Sequence, residues 1–218
     1  AKLDYNLNDR NKISVRYTQL DSTTDQLVSD SSSLGFGSRR TRTTALNFAN
    51  SNYKILENIK SGVAEWNSIL GTNKSNSLIV GYTYQDESRE SVGTFFPLVD
   101  ILDGNNTTYT SVGFEPFTPN NELRYKTFQL QNNFTKFTSK HTWTFGATVE
   151  RYESENVFFP GKQSAYVYNT LQDFYDDVNR VRPVTLRRFQ VRWSNIPGQE
   201  KPIQPLEVLY SGAYAQDE

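Results

Sequence analysis

The sequence predicts an all-β chain, an antiparallel transmembrane β-barrel of the outer-membrane type, and three observations predict it. Stretches of two-residue alternation between apolar and polar side chains recur along the chain. Aromatic residues make up 14% of an otherwise polar sequence, with 13 Tyr, 14 Phe and 3 Trp in 218 residues. Short and long connections between the alternating stretches follow one another in strict order. A barrel wall needs the first two, because one face of each strand meets water while the other meets lipid and carries aromatic girdles. The third matches short periplasmic turns and long extracellular loops.

Leu3, Tyr5 and Leu7 alternate with Lys2, Asp4 and Asn6, then 8–11 is a tight turn by composition. Ile13, Val15 and Tyr17 continue the alternation and complete a hairpin. From 23 to 44 the pattern stops in a Ser-, Thr- and Arg-rich loop holding Gly35-Phe-Gly37. Strand character resumes near Leu46 and runs to about Leu70, with Ile55, Ile59 and Val63 on one parity and Ala64 and Trp66 on the other. A short turn at 71–76 leads to Leu78, Val80, Tyr82 and Tyr84. A second long loop, 85–124, is broken by Pro97, Gly104, Pro116 and Pro119. Phe128, Leu130 and Phe134 mark the next strand, 138–140 the next turn, and Trp143, Phe145, Ala147 and Val149 the cleanest strand. The third long excursion, 154–205, is expected to hold a short helix from Asn169 to Val178, N-capped by Asn169 or Thr170, and a strand from Val184 to Trp193. Val208, Tyr210, Gly212 and Tyr214 form the last strand. A soluble β-sandwich fits the composition alone, but three loops of this length are unusual in a compact soluble domain.

Composition narrows the function. With 23 Lys+Arg against 24 Asp+Glu, no basic surface points to nucleic acid. Absence of cysteine excludes disulfides, thiolate metal sites and a Cys nucleophile. Without methionine, the chain is expected to begin downstream of a translation start, so the lack of a visible signal peptide carries no weight. No apolar run is long enough for a transmembrane helix.

The ordered segments Ser61-Gly-Val-Ala-Glu-Trp-Asn67, Ser77-Leu-Ile-Val-Gly-Tyr-Thr83, Thr127-Phe-Gln-Leu-Gln-Asn-Asn-Phe-Thr135, Lys140-His-Thr-Trp-Thr-Phe-Gly146, Tyr168-Asn-Thr-Leu-Gln-Asp-Phe174 and Tyr210-Ser-Gly-Ala-Tyr-Ala-Gln-Asp-Glu218 resemble the barrel of Oar-like TonB-dependent receptors. The resemblance spans about Leu3 to Glu218. It implies a receptor in the outer membrane of a Gram-negative bacterium, which takes up a bulky ligand through a plugged barrel with energy delivered by the TonB complex. The alternative it implies is a surface adhesion or assembly protein on the same barrel. The plug and the N-terminal regulatory domain of such receptors have no counterpart in residues 1–218. Transporter barrels of this kind have about 22 strands, whereas seven or eight are expected here. The chain is therefore expected to be the middle part of one barrel domain, partnered by the remainder of that barrel and its plug, by lipid and lipopolysaccharide, and by a lipoprotein or other surface partner.

Candidate sites are few. Arg39 and Arg40 in the first loop and Arg187 and Arg188 in the third could bind lipopolysaccharide phosphates or an anionic ligand. The alternative is packing against acidic loops. His141, the only histidine, is expected to be a turn residue. The run Asp100-Ile-Leu-Asp103-Gly-Asn-Asn106 resembles a Ca²⁺ loop but lacks its spacing and reads as an Asx-rich turn. Asp173, Asp176 and Asp177 are expected on a solvated helix face. No nucleophile, base and orienting group fall at usable spacing, so no enzyme, metal or cofactor is expected.

Overall fold

The computed structural model describes residues 1–218. In chain order its elements are β1 (Lys2–Asn8), β2 (Asn11–Gln26), β3 (Leu46–Asn47), a 3₁₀ turn (Ala49–Ser51), β4 (Tyr53–Ile69), β5 (Lys74–Asp86), β6 (Arg89–Ser91), β7 (Leu98–Leu102), β8 (Thr108–Val112), β9 (Asn121–Phe137), β10 (Thr142–Phe158), β11 (Ala165–Tyr168), α1 (Leu171–Val178), β12 (Arg188–Gln190) and β13 (Gln204–Asp217). They form two sheets. The larger runs β1-β2-β4-β5-β9-β10-β13, with short β6 beside β4, and every pairing in it is antiparallel. It is an open wall, with β1 at one edge and β13 at the other.

Directly opposed residues in an antiparallel pair share a face, so the registers sort this wall into two chemistries. One face carries rows such as Val15–Ala64–Val80–Leu130–Val149 and Ile13–Trp66–Leu78. Val15, Trp66, Leu130 and Val149 are exposed and Ile13, Leu78 and Val80 partly so, as lipid contact requires, and Tyr17, Tyr82, Tyr84, Trp143 and Phe145 lie on this face. The other face carries rows such as Asn67–Ser77–Asn133–Gly146 and Ser61–Thr83–Thr127–Tyr152.

The registers also set the tilt. The row Asn11–Ser68–Asn76–Phe134 crosses three hairpins closed at Asn8/Asn11, Leu70/Lys74 and Phe137/Thr142. Counted from each turn's midpoint, it lies about 1.5 residues up β2, about 4 up β4 and β5, and about 5.5 up β9. A drift of about 4 residues over four strand spacings of ~4.8 Å, at ~3.4 Å per residue, is a tilt of about 35°. On the lipid face of the β4–β5 hairpin, Lys74 and Lys60 bracket about ten residues, which at this tilt is about 28 Å of membrane thickness. Above that limit the row Lys60–Tyr84–Lys126–Glu153–Glu207 turns charged.

The last strand departs from the pattern. Its lipid face is Leu209, Ser211, Ala213 and Ala215, opposite Arg151, Val149, Ala147 and Phe145. Tyr210 and Tyr214 face the lumen. The Tyr214 ring lies across Gly146, where an added Cβ would sit 2.0 Å from its Cε1 atom. The phenol hydroxyl donates to Asn133 Oδ1 at 3.0 Å, so the ring spans from β13 across β10 to β9.

The three long excursions are not plain loops. The wall strands run on into them, β2 to Gln26, β5 to Asp86 and β10 to Phe158, while β9 begins at Asn121. Outside lipid both faces of a strand can be polar, so the ladder continues after the alternation has ended. Within them lies the second sheet, β12-β11-β7-β8-β3, with β11/β7 and β3/β8 parallel. β7 reads Leu-Val-Asp-Ile-Leu and is buried throughout, a short apolar run without alternation. Residues 46–70, expected as one strand, divide into β3, the 3₁₀ turn and β4. The strand expected from Val184 to Trp193 shrinks to Arg188–Gln190, because Val184 and Leu186 pack instead on Val99, Ile101 and Tyr168. The helix forms as α1, and Thr170 Oγ1 accepts from the Asp173 backbone N–H at 3.0 Å.

Two consequences are testable. Gly146→Ala should cost about 1–3 kcal/mol by overpacking, seen as a lower temperature for loss of the compact, heat-modifiable band on gels. Adding Tyr214→Ala should recover part of it, and an unchanged single variant would refute the interlock. Residues 1–218 expressed alone should give no heat-resistant monomer in detergent, since the unpaired groups of both edges cost several kcal/mol each in hydrocarbon.

Candidate functional site

The extracellular unit is built around one buried ion pair. Asp100 lies mid-β7 on the sheet face that receives the segment after β2, and Arg39 reaches it from that segment; both side chains are 0% exposed. Burying charge is costly unless every donor and acceptor is used. Here they are. The Arg39 Nε and Nη2 atoms donate to Asp100 Oδ1 and Oδ2 at 2.9 and 2.6 Å. The remaining guanidinium hydrogens go to the carbonyls of Ser29, Ser31 and Leu34 at 2.8, 3.0 and 3.0 Å. Asp100 also accepts from Ser111 Oγ at 2.5 Å and from the Phe36 N–H at 2.7 Å. Gly35 makes the wrap possible: its φ is +83°, and a Cβ there would lie 2.1 Å from Asp100 Oδ2.

The opposite face of the sheet is covered by α1 and the segment leading from it to β12. Leu171 and Phe174 pack on Val99, Ile101 and Tyr168. The Tyr168 hydroxyl donates to Asp177 Oδ2 at 2.6 Å, and burial with that contact pushes its pKa up. Arg182 bonds both Asp173 and Asp176, at 2.7 and 2.6 Å. Hydrogen bonds from Arg182 and Thr170 hold the Asp173 carboxyl below its ordinary range. The contact is thus intact at neutral pH and is lost only as pH falls through that lowered value. These acids are tied to the helix and its neighbours, not left as a solvated face.

The four candidate arginines separate. Arg39 is unavailable to any ligand, a correction whose cause is its partner 61 residues along the chain. Arg188 is half-buried and donates to the carbonyls of Ser32 and Gly35 at 3.1 and 2.6 Å, stapling the third excursion to the first. Arg40 and Arg187 are exposed, and the Arg187 guanidinium lies 5.7 Å from the Phe36 ring centre. The structure brings Arg187 and Arg188 together over Phe36. His141 sits at its turn, bonded to Asp217 at 2.9 Å. Asp103 forms the expected Asx turn, accepting from the N–H groups of Asn105 and Thr107 at 2.8 and 3.2 Å.

The lumen wall supplies the remaining chemistry. Near the short turns, a 580 Å³ hollow is lined mainly by amides and hydroxyls, among them Asn6, Asn67, Ser77, Asn133 and Thr135, with the charged Asp9, Arg10 and Lys12 at the β1–β2 turn. Such a surface is hydrated and carries hydrogen-bonding groups of both kinds.

Asp100→Ala would leave the Arg39 charge buried without its partner, at a cost of about 3–5 kcal/mol. Limited proteolysis of outer-membrane vesicles should then cut 27–45 rapidly while the heat-modifiable wall persists; equal protease resistance would contradict the buried pair.

Comparison with known proteins agrees with this architecture. No curated protein matches the chain. Among solved structures, the outer membrane transporter YddB from Escherichia coli is similar, with TM-score 0.60 at 10% identity. The match covers 99% of this chain and 24% of that one, so the chain spans about a quarter of the transporter's length. At that identity the likeness is one of fold. The family comparison covers residues 1–218 throughout, and the chain belongs to the outer membrane beta barrel domain family, located in the bacterial outer membrane.

Proposed function

We propose that this wall is part of a TonB-dependent receptor, which binds a ligand at its extracellular side and imports it through a plugged barrel. The observation that carries the proposal is the pairing of an open, seven-strand wall with a polar lumen face. Small barrels fill their interior with side chains, whereas wide ones of about 22 strands keep a plugged lumen. An amide- and hydroxyl-lined hollow at the periplasmic end suits contact with a polar plug surface. Two free edges, β1 and β13, suit completion by further strands of the same barrel. The Oar-like resemblance supports the same reading, and the likeness to a transporter fold agrees with it. No residue constellation favours catalysis, and we read the protein as a non-enzyme.

One observation favours a second reading. The extracellular excursions form a folded unit with its own core and a buried ion pair. A surface adhesion platform needs such a unit, and Arg40 and Arg187 on its exterior could meet lipopolysaccharide phosphates or a lipoprotein partner.

The two readings part on energy. Cells carrying the protein should accumulate its ligand only while the proton gradient and TonB are intact, and a protonophore should stop uptake without stopping binding. Uptake that continues without TonB would sink the transport reading, and cell-to-cell adhesion lost on deletion of the protein with no change in uptake would favour the platform.

A further inference from the structure

We propose that the extracellular end of the lumen wall binds a cationic organic group, an ammonium or guanidinium borne by a ligand, through Tyr125, Tyr152 and Glu87. The site rests on the uptake reading for the ligand's route, not for its chemistry. Tyr125 on β9 and Tyr152 on β10 share the lumen face, one step apart diagonally, because Thr127 opposes Tyr152 and Ser154 opposes Tyr125. Their ring centres are 5.8 Å apart with planes tilted by 32°. On the neighbouring strand Gln85 opposes Tyr125 and Thr83 opposes Thr127. Glu87 comes just beyond β5, and its backbone N–H donates to the Leu123 carbonyl at 2.8 Å, which fixes it beside β9. Together these residues bound a cavity of 340 Å³.

The charge of this cavity decides the ligand class. It is lined by one carboxylate and no lysine or arginine. Gln85 engages only Oε1 of Glu87. The nearby cations are spoken for. Arg124 pairs with Asp86 and Glu122, and Arg151 with Glu153 and Glu207, on the opposite face of the sheet. Arg89 lies over the Tyr53 ring at 5.3 Å. An uncompensated carboxylate beside two electron-rich ring faces repels anions. A neutral polyol gains the ring contact and hydrogen bonds but nothing from the charge. A cation gains from both the rings and the carboxylate.

The test uses the protein extracted from outer membrane in detergent, with trilysine amide carrying fluorescein on its α-amine as probe, and trilysine amide acetylated at its α-amine and all three Nε atoms, together with maltotriose, as competitors. Trilysine should bind, weaken as salt rises, and be displaced by neither competitor. Tyr152→Leu and Glu87→Gln should each weaken it about tenfold, and Tyr152→Phe, which keeps the ring face, by no more than about twofold. Heat-modifiable migration verifies that each variant is folded; should Tyr152→Leu fail to fold, Glu87→Gln against Tyr152→Phe decides. No trilysine binding, binding indifferent to Glu87→Gln, or displacement by maltotriose would each overturn the site. Variant-sensitive binding without energised uptake would leave the site standing and remove the transport reading alone.

Discussion

Hydrocarbon offers a peptide group no hydrogen bond, and the rest of this structure depends on that constraint. Every N–H and C=O at membrane depth must find a partner, so the spanning segments are strands laddered to a neighbour on each side, with only β1, β13 and the part of β2 beyond β1 left open on one side. The ladder forces side chains to alternate, and alternation forces the two chemistries apart. Val15, Ala64, Val80, Leu130 and Val149 line up on one face because successive side chains of a strand point to opposite sides, which sends Arg16, Gly81, Gln131 and Thr148 to the other. Above the membrane the constraint lapses. The strands persist there, but Lys60, Lys126 and Glu153 stand where apolar groups stand below.

The extracellular unit solves a different problem. Its strands are two to five residues long and come from three excursions far apart in sequence. So small a sheet has little apolar area to bury, and its two faces are covered by unlike means. Leu171, Phe174, Val184 and Leu186 cover one with hydrophobic contact. Arg39 and Asp100 hold the other, each with all its hydrogen-bonding capacity used. The ion pair gives direction where hydrophobic contact gives none. It orients the segment from Ser29 to Arg39 around β7, and Arg188 ties the third excursion to that same segment. The three excursions therefore behave as one body above the wall.

The wall was legible in the sequence because its signals are local. Trp143, Phe145, Ala147 and Val149 show their face within seven residues, and the turn at 138–140 shows where the strand begins. The helix start was legible for the same reason, narrowed to Asn169 or Thr170 as N-cap, of which Thr170 is the one. What lay hidden is long-range. Arg39 in a Ser- and Arg-rich stretch reads as a solvent-facing cation until Asp100 is brought to it. Nothing in the short run Leu98–Leu102 reveals a parallel partner at Ala165–Tyr168. The Tyr125–Tyr152 pair was equally invisible, since alternation identifies a face but not which residues of two strands become neighbours on it.

That last gap exposes how register itself is set. Where both faces differ strongly, a one-residue slip is forbidden because it would turn every apolar side chain to water. A slip of two residues preserves the faces and must be blocked by shape. β13 is the strand most open to it, since Ser211, Ala213 and Ala215 are small enough to meet any lipid-facing neighbour. Tyr214 closes the gap. Moved two residues either way it would face Thr144 or Thr148, each with a β-branched side chain, in place of the bare backbone of Gly146. Its hydroxyl would also leave Asn133. A single glycine opposite a single tyrosine thus supplies the phase that the hydrophobic pattern of this strand cannot, and it does so from the lumen side, where lipid plays no part.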